Sequence, residues 1–83
     1  MSTIQYVEKE RRELTGDLQD IIRKYQPLKE TAPEEYRRTV IREMRDYLQH
    51  VKCHPVFGEF CELTHIDQDE FINDILHNMI SSL

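Results

Sequence analysis

The apolar residues of the first third of the chain, Ile4, Val7, Leu14, Leu18, Ile21, Tyr25 and Leu28, fall on positions spaced three and four apart. No other pattern here narrows the fold as much: this spacing lays one stripe along an α-helix and does not fit the two-residue period of a half-buried strand. In heptad register, Ile4, Arg11, Leu18 and Tyr25 share one core position and Val7, Leu14, Ile21 and Leu28 the other, with Arg11 the one polar intrusion. The spacing predicts one long helix over about residues 3–28, with Ser2 or Thr3 as its cap. Gly16 falls on the outer face, where it weakens the helix by about 1 kcal/mol relative to Ala without opening the core.

A second helix is expected over 32–52. Its start reads as "TAPE", in which Thr31 caps, Glu34 reaches back three residues later, and Pro33 sits in the first turn where its missing N–H does no harm. Tyr36, Val40, Met44, Tyr47, Leu48 and Val51 share its apolar face. Pro55 ends it, because the residue before a proline is pushed out of the α region, and then opens a short helix over 55–63. The last helix, over 68–82, starts at "DQDE", with Asp67 as cap, Glu70 completing a capping box, and Ile66 stapled onto Phe71. The fold class that follows is all-α: a small helical bundle in which two long helices form an antiparallel hairpin, followed by a short helix and a terminal amphipathic one. Residues 1–83 form a single helical domain. Two Gly, three Pro and 33% charged residues agree with this and not with a sheet-rich or disordered chain.

Residues 60–71, "FCELTHIDQDEF", invite several chemistries. Ile66, Glu70 and Phe71 resemble the second half of an EF-hand loop, which implies calcium. The first half departs from that pattern, with Glu59, Cys61 and Leu63 at ligand positions and Thr64 where the turn needs Gly, so calcium is not expected. Over residues 60–76 the stretch is also similar to a helix-turn-helix, with Cys61, Ile66 and Phe71 at its small, turn and anchor positions, while His65 stands where the turn usually has Gly. The would-be reading face carries Gln68, Asp69, Glu70, Asn73, Asp74 and His77, all of whose charges match the sign of phosphate. His50, Cys53, Cys61 and His65 are the right residue types for a structural zinc site. A helix between the two pairs would hold Cys53 and Cys61 on the order of 10 Å apart, so no metal or other cofactor is expected.

Charge is segregated: residues 53–83 contain six Asp and Glu and no Lys or Arg, within a chain of net charge −5. Such a surface repels nucleic acid and favours a basic partner. The expectation is a non-enzymatic protein that acts through protein–protein interaction, as an adaptor, regulator or inhibitor, and self-associates as a homodimer or other homo-oligomer through its helix faces. Candidate acidic contacts are Glu59, Glu62, Asp69 and Asp74, and candidate apolar contacts are Phe71, Ile75, Met79, Ile80 and Leu83. The alternatives are a nucleic-acid-associated regulator with a helix-turn-helix-like C-terminal half, in which Arg38, Arg42 and Arg45 contact phosphate from one stripe of the second helix, or a zinc-stabilised helical module. No phosphate loop, nucleotide fingerprint or exposed nucleophile elbow is present, and a bundle this small is expected to have little room for a pocket. No apolar run approaches the length of a signal peptide or a membrane span, so the expected location is cytoplasmic with no membrane partner.

Overall fold

The computed structural model describes residues 3–83. Five helices follow in order: α1 (Thr3–Lys24), α2 (Gln26–Thr31), α3 (Pro33–Cys53), α4 (Pro55–Thr64) and α5 (Gln68–Ser81). Among the described residues there is no strand, and the all-α expectation holds. Ser2, one of the two caps considered for α1, lies outside the described residues, and Thr3 is already helical.

The helix expected over 3–28 is broken at Tyr25, which takes φ −100° and ψ 5°. Pro27 supplies the reason. It has no N–H to give the carbonyl of Arg23, and its ring would collide with that carbonyl in a continuous helix. The chain instead tightens, with Tyr25 N–H on Ile22 O at 3.3 Å and Leu28 N–H on Tyr25 O at 3.0 Å, and Pro27 falls in the first turn of α2. A second departure follows at the end of α2. Thr31 does not cap α3: it ends α2, and its hydroxyl reaches back to Leu28 O at 3.5 Å. Ala32 takes the cap position of α3 with no side-chain bond to offer.

The Pro55 stop and the Asp67 cap form as expected. Pro55 forces His54 into extended backbone at φ −79° and ψ 132°, which ends α3. His65 closes α4 in the left-handed region at φ 56° and ψ 42°, and Ile66 N–H returns to Cys61 O at 3.0 Å, so orphan carbonyls at the helix end are satisfied. His65 thus does what Gly does in the helix-turn-helix pattern. Asp67 then caps α5, its Oδ1 accepting from Glu70 N–H at 3.0 Å.

The core draws on four of the five helices. Leu14 and Leu18 come from α1, Tyr36, Val40, Met44 and Leu48 from α3, Phe57, Phe60 and Cys61 from α4, and Phe71, Ile72, Ile75 and Met79 from α5. α3 is the hub and touches every other helix, while α1 also packs on α5. Burial of the α1 stripe is uneven. Leu14 and Leu18 are enclosed, Val7, Ile21, Tyr25 and Leu28 pack at the margin of the core, and Ile4 is 71% exposed. Arg11 does not interrupt the packing: its guanidinium lies 5.0 Å from the centroid of the Phe71 ring, a cation–π contact between α1 and α5. A Cβ added at Gly16 would meet nothing within 4 Å, as its outer position in the heptad implies.

Candidate functional site

An open groove of about 400 Å³ lies where α1, the end of α3 and the start of α4 meet. It is more room than a bundle of this size is expected to leave. The groove exists because Pro55 turns the chain at His54 so that α4 leaves α3 at an angle, and α1 then borders the gap. Leu14, Val51, Val56 and Phe57 give it an apolar lining. Glu10, Glu13 and Asp17 line the α1 side, and Tyr47, His50 and His54 line the other.

The polar groups are partly committed. Tyr47 donates its hydroxyl to the carboxylate of Asp17 in a hydrogen bond that ties α3 to α1. Burial first, then the bond to Asp17 and the charges of Asp17 and Glu10, push the Tyr47 phenol up to about 12. His50 places Nδ1 2.9 Å from Asp46 O, and His54 Nδ1 accepts from Val56 N–H at 3.2 Å to cap α4. Glu10 titrates above the ordinary carboxylate range, chiefly because burial disfavours its charge and then because Glu13 and Asp17 add negative charge, with Lys9 opposing. The ionised groove is therefore acidic, apolar at its base and short of counter-charge. Such a site can hold a cationic, amphipathic side chain or helix.

The expected site residues fall elsewhere. Phe71, Ile75 and Met79 are enclosed in the chain's own core, because α5 lies against both α1 and α3; only Ile80 and Leu83 remain half-exposed at its margin. Asp69 is paired with Lys52 across the α3–α5 contact, and that carboxylate holds the Lys52 ammonium above its ordinary range. Asp74 borders a shallow recess of about 290 Å³ with Arg11, Asp67 and Glu70. Glu59 and Glu62 are exposed on α4. Arg38, Arg42 and Arg45 share one open face with the half-buried Ile41.

The zinc quartet is not assembled. Cys61 is buried in the core and Cys53 is exposed, and among the described residues no three His, Cys, Asp or Glu side chains are grouped so that they could hold a metal ion. Burial, followed by the charges of Asp67 and Glu10, raises the Cys61 thiol, which disfavours the thiolate a metal would need. Among the described residues no helix is long and apolar enough to cross a membrane.

Sequence reasoning passed over Glu10, Glu13, Asp17, Tyr47 and His54. The carboxylates did carry a signal, since their i, i+3, i+7 spacing puts all three on one face of α1 beside Leu14. What no spacing reveals is that α4 stands across from them. No protein-family model, curated protein or solved structure matches this chain.

Proposed function

We propose that this chain is a non-enzymatic protein-interaction module of the cytoplasm, an adaptor, regulator or inhibitor that takes a basic, amphipathic segment of another protein into the groove between α1, α3 and α4. The observation that carries this reading is the pairing of an apolar groove lining with three carboxylates that, among the described residues, no Lys or Arg neutralises by an ion pair. Glu10 gives the pairing an energetic direction. Its raised pKa means that the folded chain gains stability from Glu10 below the carboxylate range and loses it as pH rises through the raised value. Burial and like charge oppose the ionisation of this carboxylate, and a Lys or Arg brought beside it relieves that opposition.

The geometry of the groove rests on the long helices forming an antiparallel hairpin. Two contacts support this arrangement: Lys29 of α2 lies over the Tyr36 ring near the start of α3, and Asp17 of α1 meets Tyr47 nearer its end, so that an earlier position on one side meets a later one on the other. Exposed apolar residues near the groove and at the start of α1, Val56 at 62% and Ile4 at 71%, extend the surface on which a partner segment can lie.

The test is a titration of ¹⁵N-labelled protein with a synthetic amphipathic helix carrying a Lys/Arg flank, alongside a Glu-flanked helix of the same apolar face. Shifts centred on Glu10, Glu13, Asp17, Tyr47, His54 and Val56 of the groove, with the basic peptide alone, are expected. Affinity should fall at least about tenfold in Glu10→Gln/Glu13→Gln, since two charge-assisted contacts are lost. Equal binding of both peptides, or an unchanged affinity in the double variant, would sink the reading.

A further inference from the structure

Arg38, Arg42 and Arg45 form a row on α3 that the groove does not use. All three are exposed, they flank with Asp46 a shallow recess of about 420 Å³ over Ile41, and none of them is in an ion pair with Asp46 or any other acid among the described residues. Their intervals are four and then three residues. At the start of α5, its cap Asp67 and the helical Glu70 and Asp74 repeat the same intervals in the opposite order, three and then four. Two helices laid antiparallel therefore bring Arg45 opposite Asp67, Arg42 opposite Glu70 and Arg38 opposite Asp74. Each row spans seven residues; at roughly 100° and 1.5 Å per residue the α3 row covers about 10.5 Å within an arc of about 60°, and Glu70 and Asp74 lie within about 40° of one another on α5, with the cap Asp67 ahead of them. We propose that the α3 arginine row is a self-recognition surface, and that its occupant is the Asp67–Glu70–Asp74 row of a second copy of this chain.

Charge complementarity selects this row over the other acids. Glu10, Glu13 and Asp17 share the spacing, but Asp17 already accepts the Tyr47 hydroxyl and Lys9 lies close to Glu10. Asp69 is off the row and engaged by Lys52. The acidic row lies in the third of the chain that has no Lys or Arg, so the cations an incoming α3 meets there come from other helices and are already engaged: Arg11 is directed onto the Phe71 ring, and Lys52, close enough to feel the charge of Asp67, is paired with Asp69. Asp67 uses Oδ1 for its cap, which leaves Oδ2 to accept from a guanidinium. The contact joins two different patches. It therefore closes as a two-fold pair only if both copies present both rows to each other; otherwise it extends head to tail.

Exposed ion pairs make a weak, salt-sensitive association. Sedimentation velocity at about 50 mM and 500 mM NaCl, over roughly 10 µM to 1 mM protein, is the measurement. The expected result is a mass rising above the 10.1 kDa of one chain with concentration at low salt and returning toward it at high salt. Arg42→Glu and Glu70→Arg should each weaken association at least about tenfold, because each sets like charges face to face. An equimolar mixture of the two variants should regain association to within about threefold of the unsubstituted chain, since the carboxylate introduced at position 42 of one copy then faces the guanidinium introduced at position 70 of the other. The exchange of Arg38→Glu with Asp74→Arg is a second, independent pair, and far-UV circular dichroism checks that all four exposed substitutions keep the helices. A chain that stays monomeric at the highest concentration and low salt, single variants that associate normally, or mixtures that recover nothing would each overturn the proposal. So would a monomer whose arginine row shifts a duplex DNA fragment in a gel.

Discussion

Residues 31–34, "TAPE", and residues 67–70, "DQDE", both set a capping residue three positions before a Glu, yet only the second caps a helix. The contrast lies in how the preceding helix ends. α4 is closed by the left-handed His65, which frees Ile66 and Asp67 to leave helical geometry, and Asp67 at φ −70° and ψ 125° aims its carboxylate at Glu70 N–H. α2 has no such stop. It runs through Thr31, one residue links it to α3, and that residue is Ala32. A cap motif thus needs a terminator before it as well as a Glu after it, because the capping side chain must belong to a residue outside the helix.

The two junctions also differ in what they anchor. Phe71, at the Asp67 junction, is 3% exposed, lies 5.9 Å and 5.7 Å from the Phe57 and Phe60 rings and carries Arg11 on its face. At the α2 junction Tyr36 is buried from the α3 side with Lys29 over its ring, but α2 itself buries no residue and contributes only the half-buried Leu28. Phe71→Ala is therefore expected to cost about 3–5 kcal/mol in urea unfolding, a large part of the stability of an 83-residue domain, against roughly 1–2 kcal/mol for Leu28→Ala. Equal costs would mean that the two ends of the bundle are anchored alike.

Asp67→Ala removes the working cap and should cost about 1 kcal/mol, read as a fall in Tm of about 4–8 °C. An unchanged Tm would show the Oδ1 bond to be idle. His65→Gly tests the terminator. A non-glycine residue at φ 56° carries a steric penalty that glycine lacks, partly offset by glycine's freer unfolded chain, so a gain of about 0.5–1 kcal/mol is expected. A loss instead would assign the His65 side chain a contact worth more than the strain it relieves.

The same contrast marks what was legible in the sequence. The Asp67 cap and the Pro55 stop are local events, fixed by residues within four positions of one another, and they can be read directly. The break at Tyr25 is equally local, but the apolar 3-4 spacing runs unbroken through Pro27, and the period masks the missing N–H. The groove is a different matter. Its α1 carboxylates and its α4 lining are more than 35 positions apart, and their meeting depends on the angle at which α4 leaves His54. Likewise the apolar contacts expected for a partner on α5 are covered by α1 and α3 of the same chain, with Phe71 also meeting Phe57 and Phe60 of α4.

The smallest effect is the most discriminating one. If Thr31 were a cap, Thr31→Ala would cost about 1 kcal/mol, as at Asp67. In the structure its hydroxyl makes only a 3.5 Å contact with Leu28 O in an exposed last turn of α2, a bond at the limit of useful length. Losing it is set against a gain, because Ala is a better helix former than Thr by a few tenths of a kcal/mol and the change strands no buried polar group. The two terms nearly cancel, so Thr31→Ala should change stability by less than about 0.3 kcal/mol, a Tm shift of no more than about 2 °C. A loss near the Asp67→Ala value would mean that α2 frays in solution and that Thr31 then serves α3 after all, which would make the two junctions alike in function though not in this conformation.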